Sequence, residues 1–180
     1  MASKHAAENA VRNAGFKFYT IFRPSWLVHN YAAPTNALYF PEFPAIGEIH
    51  TPINVDLPMA HLDAYDVGRF ATIALLDPAR FAGKELPLTA GNFSIRGAAR
   101  ELEAVIGSKI PVVQLDPAEL IKDQTNFMTY MRALIATWTN EKGTPITEEE
   151  LALQNSFGIE PTTLRTAFER NKADLPLTTV

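Results

Sequence analysis

The sequence predicts an α/β protein, and three observations carry that prediction. A helical pattern ending in glycine is followed at once by an aromatic, β-branched run and a proline, all within residues 3–24. A second strand-to-helix junction opens at Met59, and the two patterns go on alternating as far as Leu115. Beyond that point the chain is mainly helical in pattern. Alternation of the two periodicities in one chain is the signature of strands covered by helices.

Taken in order, Ala6, Ala7, Ala10, Val11 and Ala14 recur at helical spacing. Ser3 is placed to cap this helix, Glu8 and Arg12 stand four residues apart on one face, and Gly15 stands where a helix closes in a left-handed residue. Phe16 to Arg23 reads as a strand that Pro24 stops. Its Phe16, Phe18, Phe22 face and its Tyr19, Ile21 face are both apolar, the pattern of a strand covered on both sides. From Leu27 to Pro58 the prolines at 34, 41, 44, 52 and 58 forbid long elements, and only Glu48 to Ile53 reads as extended. Composition leaves two readings of this stretch open, a loop-rich lobe over a cleft or a structural excursion.

Met59 to Leu62 reads as a strand, with Asp63 as the cap of the next helix and Asp66 as first-turn negative charge. Ala64, Val67, Phe70, Ala71, Ala74 and Leu75 form its buried stripe, and Asp77-Pro78 ends it. Gly83 to Ala90 is extended. Asn92 or Ser94 then caps an amphipathic helix with Ile95, Ala98, Ala99, Leu102, Val105 and Ile106 on one face, closed by Gly107. Ile110 to Leu115 reads as a strand, and Pro117 to Trp138, Thr147 to Ser156 and Pro161 to Lys172 as helices.

Composition excludes several classes of function. The chain has 180 residues, 47% of them hydrophobic and 20% charged, with a net charge of -4 and no basic run. Nucleic acid is therefore not an expected partner. The absence of cysteine excludes disulfides, thiol nucleophiles and Cys-zinc sites. No apolar stretch approaches the ~20 residues of a membrane span, and the first residues hold no apolar signal core, so a cytoplasmic protein is expected. The nine glycines form neither G-x-G-x-x-G nor a P-loop, and no G-x-S-x-G elbow is present. His61 and Asp63 could supply two metal ligands, but with no third in view a capping or core role is expected. Glu148, Glu149 and Glu150 read as a solvated helix start. Trp26, Tyr39, Phe40 and Phe43 could line an apolar pocket, though core packing is the commoner fate of such residues.

The order of motifs resembles the NmrA-like branch of atypical short-chain dehydrogenases/reductases. The matching pieces are Ser3-Lys4-x-x-x-Glu8-x-x-Val11-x-x-x-Gly15, then Phe22-Arg23-Pro24, then Trp26 and Asn30. They continue with Pro58-Met-Ala-His-Leu-Asp-Ala-Tyr-Asp66-Val-Gly68, Ala74-Leu-Leu-Asp-Pro78, Phe81-Ala-Gly-Lys84 and the helix opening at Phe93-Ser-Ile-Arg96. Leu164 to Phe168 with Asn171 to Asp174 matches less closely. The resemblance implies a partial Rossmann-like parallel sheet with flanking helices, plus a C-terminal mainly helical substrate lobe. It implies NADP or NAD as cofactor and either an oxidoreductase or a redox-sensing regulator. Residues 1–180 would then be one NmrA-like domain without the N-terminal dinucleotide-binding half, so the sequence reads as incomplete.

Carried over by position, Lys4 resembles the family lysine that bonds the nicotinamide ribose and assists a proton donor in active enzymes. Trp26, Leu27, Val28, His29 and Asn30 resemble the stretch packed on the nicotinamide end. Lys4 and this stretch are expected on one side of one cleft, at the carboxyl ends of parallel strands. The implied ligand is a nucleotide or other small molecule. A non-enzymatic interaction module, or a truncated relative without cofactor binding, remains the alternative, with a second copy or a protein partner covering the sheet edge around Phe16 to Arg23. The motifs give neither the substrate nor the choice between NAD and NADP.

Overall fold

The computed structural model describes residues 2–123 and 125–176. Helix α1 (Ala2–Asn13) leads through Gly15, at φ +74°, to strand β1 (Thr20–Pro24) and the short β2 (Trp26–Leu27). A 3-10 turn (Val28–Tyr31) and the short helices α2 (Asn36–Tyr39) and α3 (Glu42–Ile46) follow, then β3 (Ile49–Thr51). Strand β4 (Met59–Leu62) enters α4 (Ala64–Leu76), and α5 (Pro78–Phe81) enters β5 (Lys84–Leu88) and β6 (Gly91–Phe93). Then come α6 (Ile95–Ile106), β7 (Val112–Gln114), α7 (Pro117–Leu120), α8 (Phe127–Thr139), α9 (Glu148–Asn155) and α10 (Leu164–Arg170).

The strands make three short ladders. β1 pairs parallel with β5, β2 parallel with β4, and β3 parallel with β7, while β6 lies antiparallel on the other edge of β4. Parallel strands with helical crossovers confirm the predicted α/β class. One buried cluster gathers Tyr31, Phe40, Phe43, Ile49, Leu102 and Phe168 with their neighbours; a second gathers Leu62, Phe70, Phe81, Leu86, Leu88 and Phe157.

Most elements lie where periodicity put them. β4 has the predicted bounds, Asp63 accepts from Tyr65 N at the start of α4, and Ser94 rather than Asn92 caps α6. Asn92 instead clasps the backbone of Ile146 in both directions. Thr147 and Glu150 complete a capping box at α9, so the three glutamates form a solvated helix start.

Four local expectations need correction. α1 already includes Ala2 and Ser3, so Ser3 is not its cap. The first strand begins at Thr20, where pairing with Lys84 begins; Phe16 and Phe18, with no paired strand among the described residues, are 62% and 40% exposed. Leu75 points outward at 81% exposure, because Phe70 and Ala74 take the core face of α4. The helix expected from Pro117 to Trp138 is two helices. Asp123 accepts from Thr125 N and Asn126 from Thr129 N, a local competition that breaks one helix and caps the next.

Candidate functional site at the carboxyl ends of β1 and β2

Segment 25–31 leaves the carboxyl ends of two parallel ladders together. Ser25 N donates to Leu88 O at 3.0 Å, and Trp26 and Leu27 pair with His61 and Leu62. The chain then tightens into the 3-10 turn. Val28 is buried, while His29 and Asn30 are half-buried. The Trp26 ring lies edge-on to Tyr39 at 5.0 Å and tilted to Phe40 at 6.2 Å, so these aromatics with Phe43 are packed core.

What sets this segment apart is its polar atoms. Ser25 Oγ, Trp26 Nε1 and His29 Nδ1 are all buried, and none has a hydrogen-bond partner among the described residues. Three such atoms within five residues are unusual, because buried polar atoms are nearly always paired.

Tyr31, two residues on, behaves differently. Tyr31 Oη lies 3.0 Å from His61 Nε2, and His61 Nδ1 lies 2.8 Å from Met59 O. A carbonyl only accepts, so Nδ1 carries the hydrogen and Nε2 accepts from the tyrosine. Burial lowers the His61 pKa to about 4, against the bond to Met59 O, and raises that of Tyr31. This pair ties the turn to β4. Asp63 accepts from Tyr65 N and from Arg170 Nη1. With their bonding atoms taken by protein groups, His61 and Asp63 act as core and cap. Among the described residues no group of three or more His, Asp or Glu could hold a metal ion.

Lys4 lies exposed near the start of α1, and among the described residues no hydrogen bond or ion pair joins it to residues 26–30. A ring of charges ties α1 to the sheet. Arg12 Nε donates to Glu85 at 2.7 Å, and Arg23 Nε to Glu8 at 2.9 Å. The hydrogen bond from Arg23, aided by Arg12, holds the Glu8 carboxyl down to about 2 against its partial burial. Glu85 is level with Ile21 on β1, while Glu8 meets Arg23 farther along the strand. Arg12 also bonds Glu8 and Arg23 also bonds Glu85, so the four side chains form one closed network between α1, β1 and β5.

Sequence reasoning missed Ser25 and the Tyr31–His61 pair. It also missed Asn36, Glu42 and Arg132, whose Nδ2, Oε2 and Nε atoms are buried without partners among the described residues. Arg132 had a readable signal: it stands four residues before Ala136, on the stripe that α8 buries. A cavity of about 270 Å³ lies elsewhere, between β1 and α4, lined by Phe18, Tyr19, Phe22, Ala74, Leu75 and Pro78. Its lining is mainly apolar.

The parallel ladders, their helical crossovers and a polar segment at the carboxyl ends of the strands define a Rossmann-like α/β class. The NmrA-like family matches residues 1–170, and the chain belongs to it. No curated protein matches the sequence. Among solved structures, a nucleoside-diphosphate-sugar epimerase from Staphylococcus aureus is 15% identical, with 92% of this chain and 56% of that one covered at a TM-score of 0.65. NmrA, a negative transcriptional regulator, in complex with NADP is 18% identical, with 97% and 54% covered at 0.59. The same regulator in complex with NAD is 18% identical, with 96% and 53% covered at 0.58. These likenesses establish the fold, and the chain spans little more than half the length of these structures. No helix among the described residues is long and apolar enough to cross a membrane.

Proposed function

We propose that this NmrA-like chain contacts the nicotinamide side of NADP or NAD, in the service of an oxidoreductase or a redox-sensing regulator. Trp26, Leu27, Val28, His29 and Asn30 contact the nicotinamide end, and Lys4 reaches the adjoining ribose hydroxyls. One observation carries the reading: the unpartnered buried atoms of Ser25, Trp26 and His29 at the carboxyl ends of parallel strands, where open α/β sheets bind ligands. The complexes of the regulator NmrA with NADP and NAD support the choice of cofactor.

The 180 residues hold no glycine-rich phosphate loop, so the chain by itself binds the whole dinucleotide weakly. A dissociation constant above about 1 mM, or ~4 kcal/mol, is expected for NADP by calorimetry. Nicotinamide mononucleotide at millimolar concentration still shifts the Trp26 Nε1–H and His29 resonances, and Lys4→Ala weakens that response. Micromolar binding of NADP, or shifts confined to residues away from 4 and 25–30, would overturn the assignment.

A second reading has its own observation. β1 is paired on one edge by β5 and, among the described residues, by no strand on the other. Phe16, Phe18, Leu75 and Leu76 are exposed. Such an edge invites pairing with another chain. On this reading the protein is an interaction module, and a second copy or a protein partner covers the patch. Size-exclusion chromatography with light scattering decides: a dimer that Phe18→Glu dissociates supports the module, and a monomer that ignores hydrophobic dye removes it.

A further inference from the structure

Helix α8 is apolar on two opposite sides. One side carries Arg132, Ala133 and Ala136, which are buried against the body of the chain. Arg132 is the one charged residue of the helix, and its Nη2 donates inward to the His50 carbonyl at 2.7 Å. The other side carries Phe127, Met131, Leu134 and Trp138. At about 100° per residue these four fall within an arc of about 60°, centred opposite Ala136. Phe127 is 70% exposed and Trp138 55%, with Met131 and Leu134 half-buried between them. The stripe leaves roughly 400 Å² of apolar side chain in water, a size at which a surface patch marks a contact site. No charge interrupts it. Charges stand just beyond its two ends instead: Asp123 before the helix and Lys142 after it, both exposed.

We propose that this stripe is a self-association surface, on which two copies of the chain pair their α8 helices antiparallel about a two-fold axis between Met131 and Leu134. Symmetry and charge select the occupant. About that axis Phe127 meets Trp138 of the second copy and Met131 meets its Leu134, so large side chains at the ends cover one another and smaller ones fill the centre. The same register brings Lys142 of each copy to Asp123 of the other, an opposite-charge contact made twice. The antiparallel helix dipoles also attract. A parallel pair would set Asp123 against Asp123, Lys142 against Lys142 and like dipole ends together. Phe, Met and Trp are residue types enriched in interfaces. The surface is separate from the β1 edge and from segment 25–31, and it stands whichever reading of those regions holds.

Two such stripes bury roughly 800 Å² in all, at the small end of interfaces, so the dissociation constant is expected on the order of 100 µM. Sedimentation equilibrium of the full chain from about 10 µM to about 1 mM spans that constant tenfold on either side. The mean mass rises from monomer toward dimer and no further. Leu134→Glu sets a carboxylate into the apolar contact of each copy and stays monomeric throughout, with an unchanged circular dichroism spectrum. Should that variant misfold, the exposed Lys142→Glu gives the second measurement. It faces Asp123 with a like charge and weakens association about fivefold, a loss that closes at about 1 M salt. Phe18→Glu, on the β1 edge, leaves this association unchanged. A chain that is monomeric throughout overturns the proposal, as does a dimer that a folded Leu134→Glu or Lys142→Glu leaves intact. A dimer dissociated by Phe18→Glu moves the contact to the β1 edge and overturns it too. So does a monomer that binds a hydrophobic dye in a way Leu134→Glu abolishes, because the stripe then serves a different partner.

Discussion

Two regions of this molecule bury polar side chains and treat them in opposite ways. At the corner where β4 enters α4, the buried groups are paired. His61 bonds Tyr31 and Met59 O, Asp63 bonds Tyr65 N and Arg170, and Asp66 accepts from Thr162 N and Thr162 Oγ1 at 2.6 and 2.9 Å. Gln154 clasps Thr89 through both its nitrogen and its oxygen. In segment 25–29, Ser25 Oγ, Trp26 Nε1 and His29 Nδ1 are buried without partners among the described residues. The first region is a lock that holds the C-terminal segment to the sheet. The second keeps its hydrogen-bonding capacity unused and follows the carboxyl end of β1. The two groups therefore predict different outcomes of mutation.

The largest effect is expected at the lock. Asp66→Ala strips Thr162 N and Oγ1 of their acceptor and leaves Arg69 only its bond to the Glu160 carbonyl. Leaving a half-buried donor unpaired and removing a buried charged acceptor costs about 3 kcal/mol, measured as a shift of the urea midpoint with unchanged slope. A loss below about 1 kcal/mol would mean the C-terminal segment is held by packing alone.

Acid sharpens the comparison on a second group. The folded His61 pKa, about 4, lies below its ordinary value of 6.5, so the unfolded chain binds more protons between those values. The contribution of neutral His61 to stability is therefore complete above pH 6.5 and declines as the pH falls toward 4. Tyr31→Phe removes the hydroxyl that Nε2 accepts from and costs roughly 1–2 kcal/mol at neutral pH. The decline from pH 6.5 to 4 becomes shallower in the variant if the lost bond favours a protonated, water-reached imidazole. An unchanged stability at pH 7 would break the claim that this pair anchors the 28–31 turn.

The two regions also differ in how much of them the sequence disclosed. The α6 stripe from Ile95 to Val105, its Ser94 cap and its closure at Gly107 were legible because each signal lies within a turn or two of its neighbour. Asp63 was read correctly as a cap for the same reason. Asp66 was read only as first-turn charge, because its partner Thr162 is 96 residues away and nothing local marks it. His61 and Tyr31, 30 residues apart, were invisible as a pair for that reason. Phe16 and Phe18 were expected in a covered strand, but the pairing that would extend it stops at Thr20. In the candidate site, Trp26 to Asn30 came from motif order. The unpartnered atoms there, and those of Asn36 and Glu42, have no sequence signature.

The smallest expected effect tests the contrast most directly. Ser25 links β1 to β2, and its backbone already holds the junction through the bond to Leu88 O. Its hydroxyl is buried with no partner among the described residues. Ser25→Ala removes that oxygen and leaves the backbone bond in place. If the hydroxyl is idle in the free chain, the desolvation penalty of a buried, unbonded group disappears with it. Stability should then stay within about 0.5 kcal/mol of the parent or rise slightly, in contrast to the loss at Asp66. On the proposed cofactor reading, the shift of Trp26 Nε1–H by nicotinamide mononucleotide should meanwhile weaken, because Ser25 Oγ would be one of the groups that meets it. A destabilisation of about 1 kcal/mol or more would show that the hydroxyl is already satisfied, by ordered solvent or by an accommodation of the turn. Ser25 would then join the lock, and the ligand reading would rest on Trp26 and His29 alone.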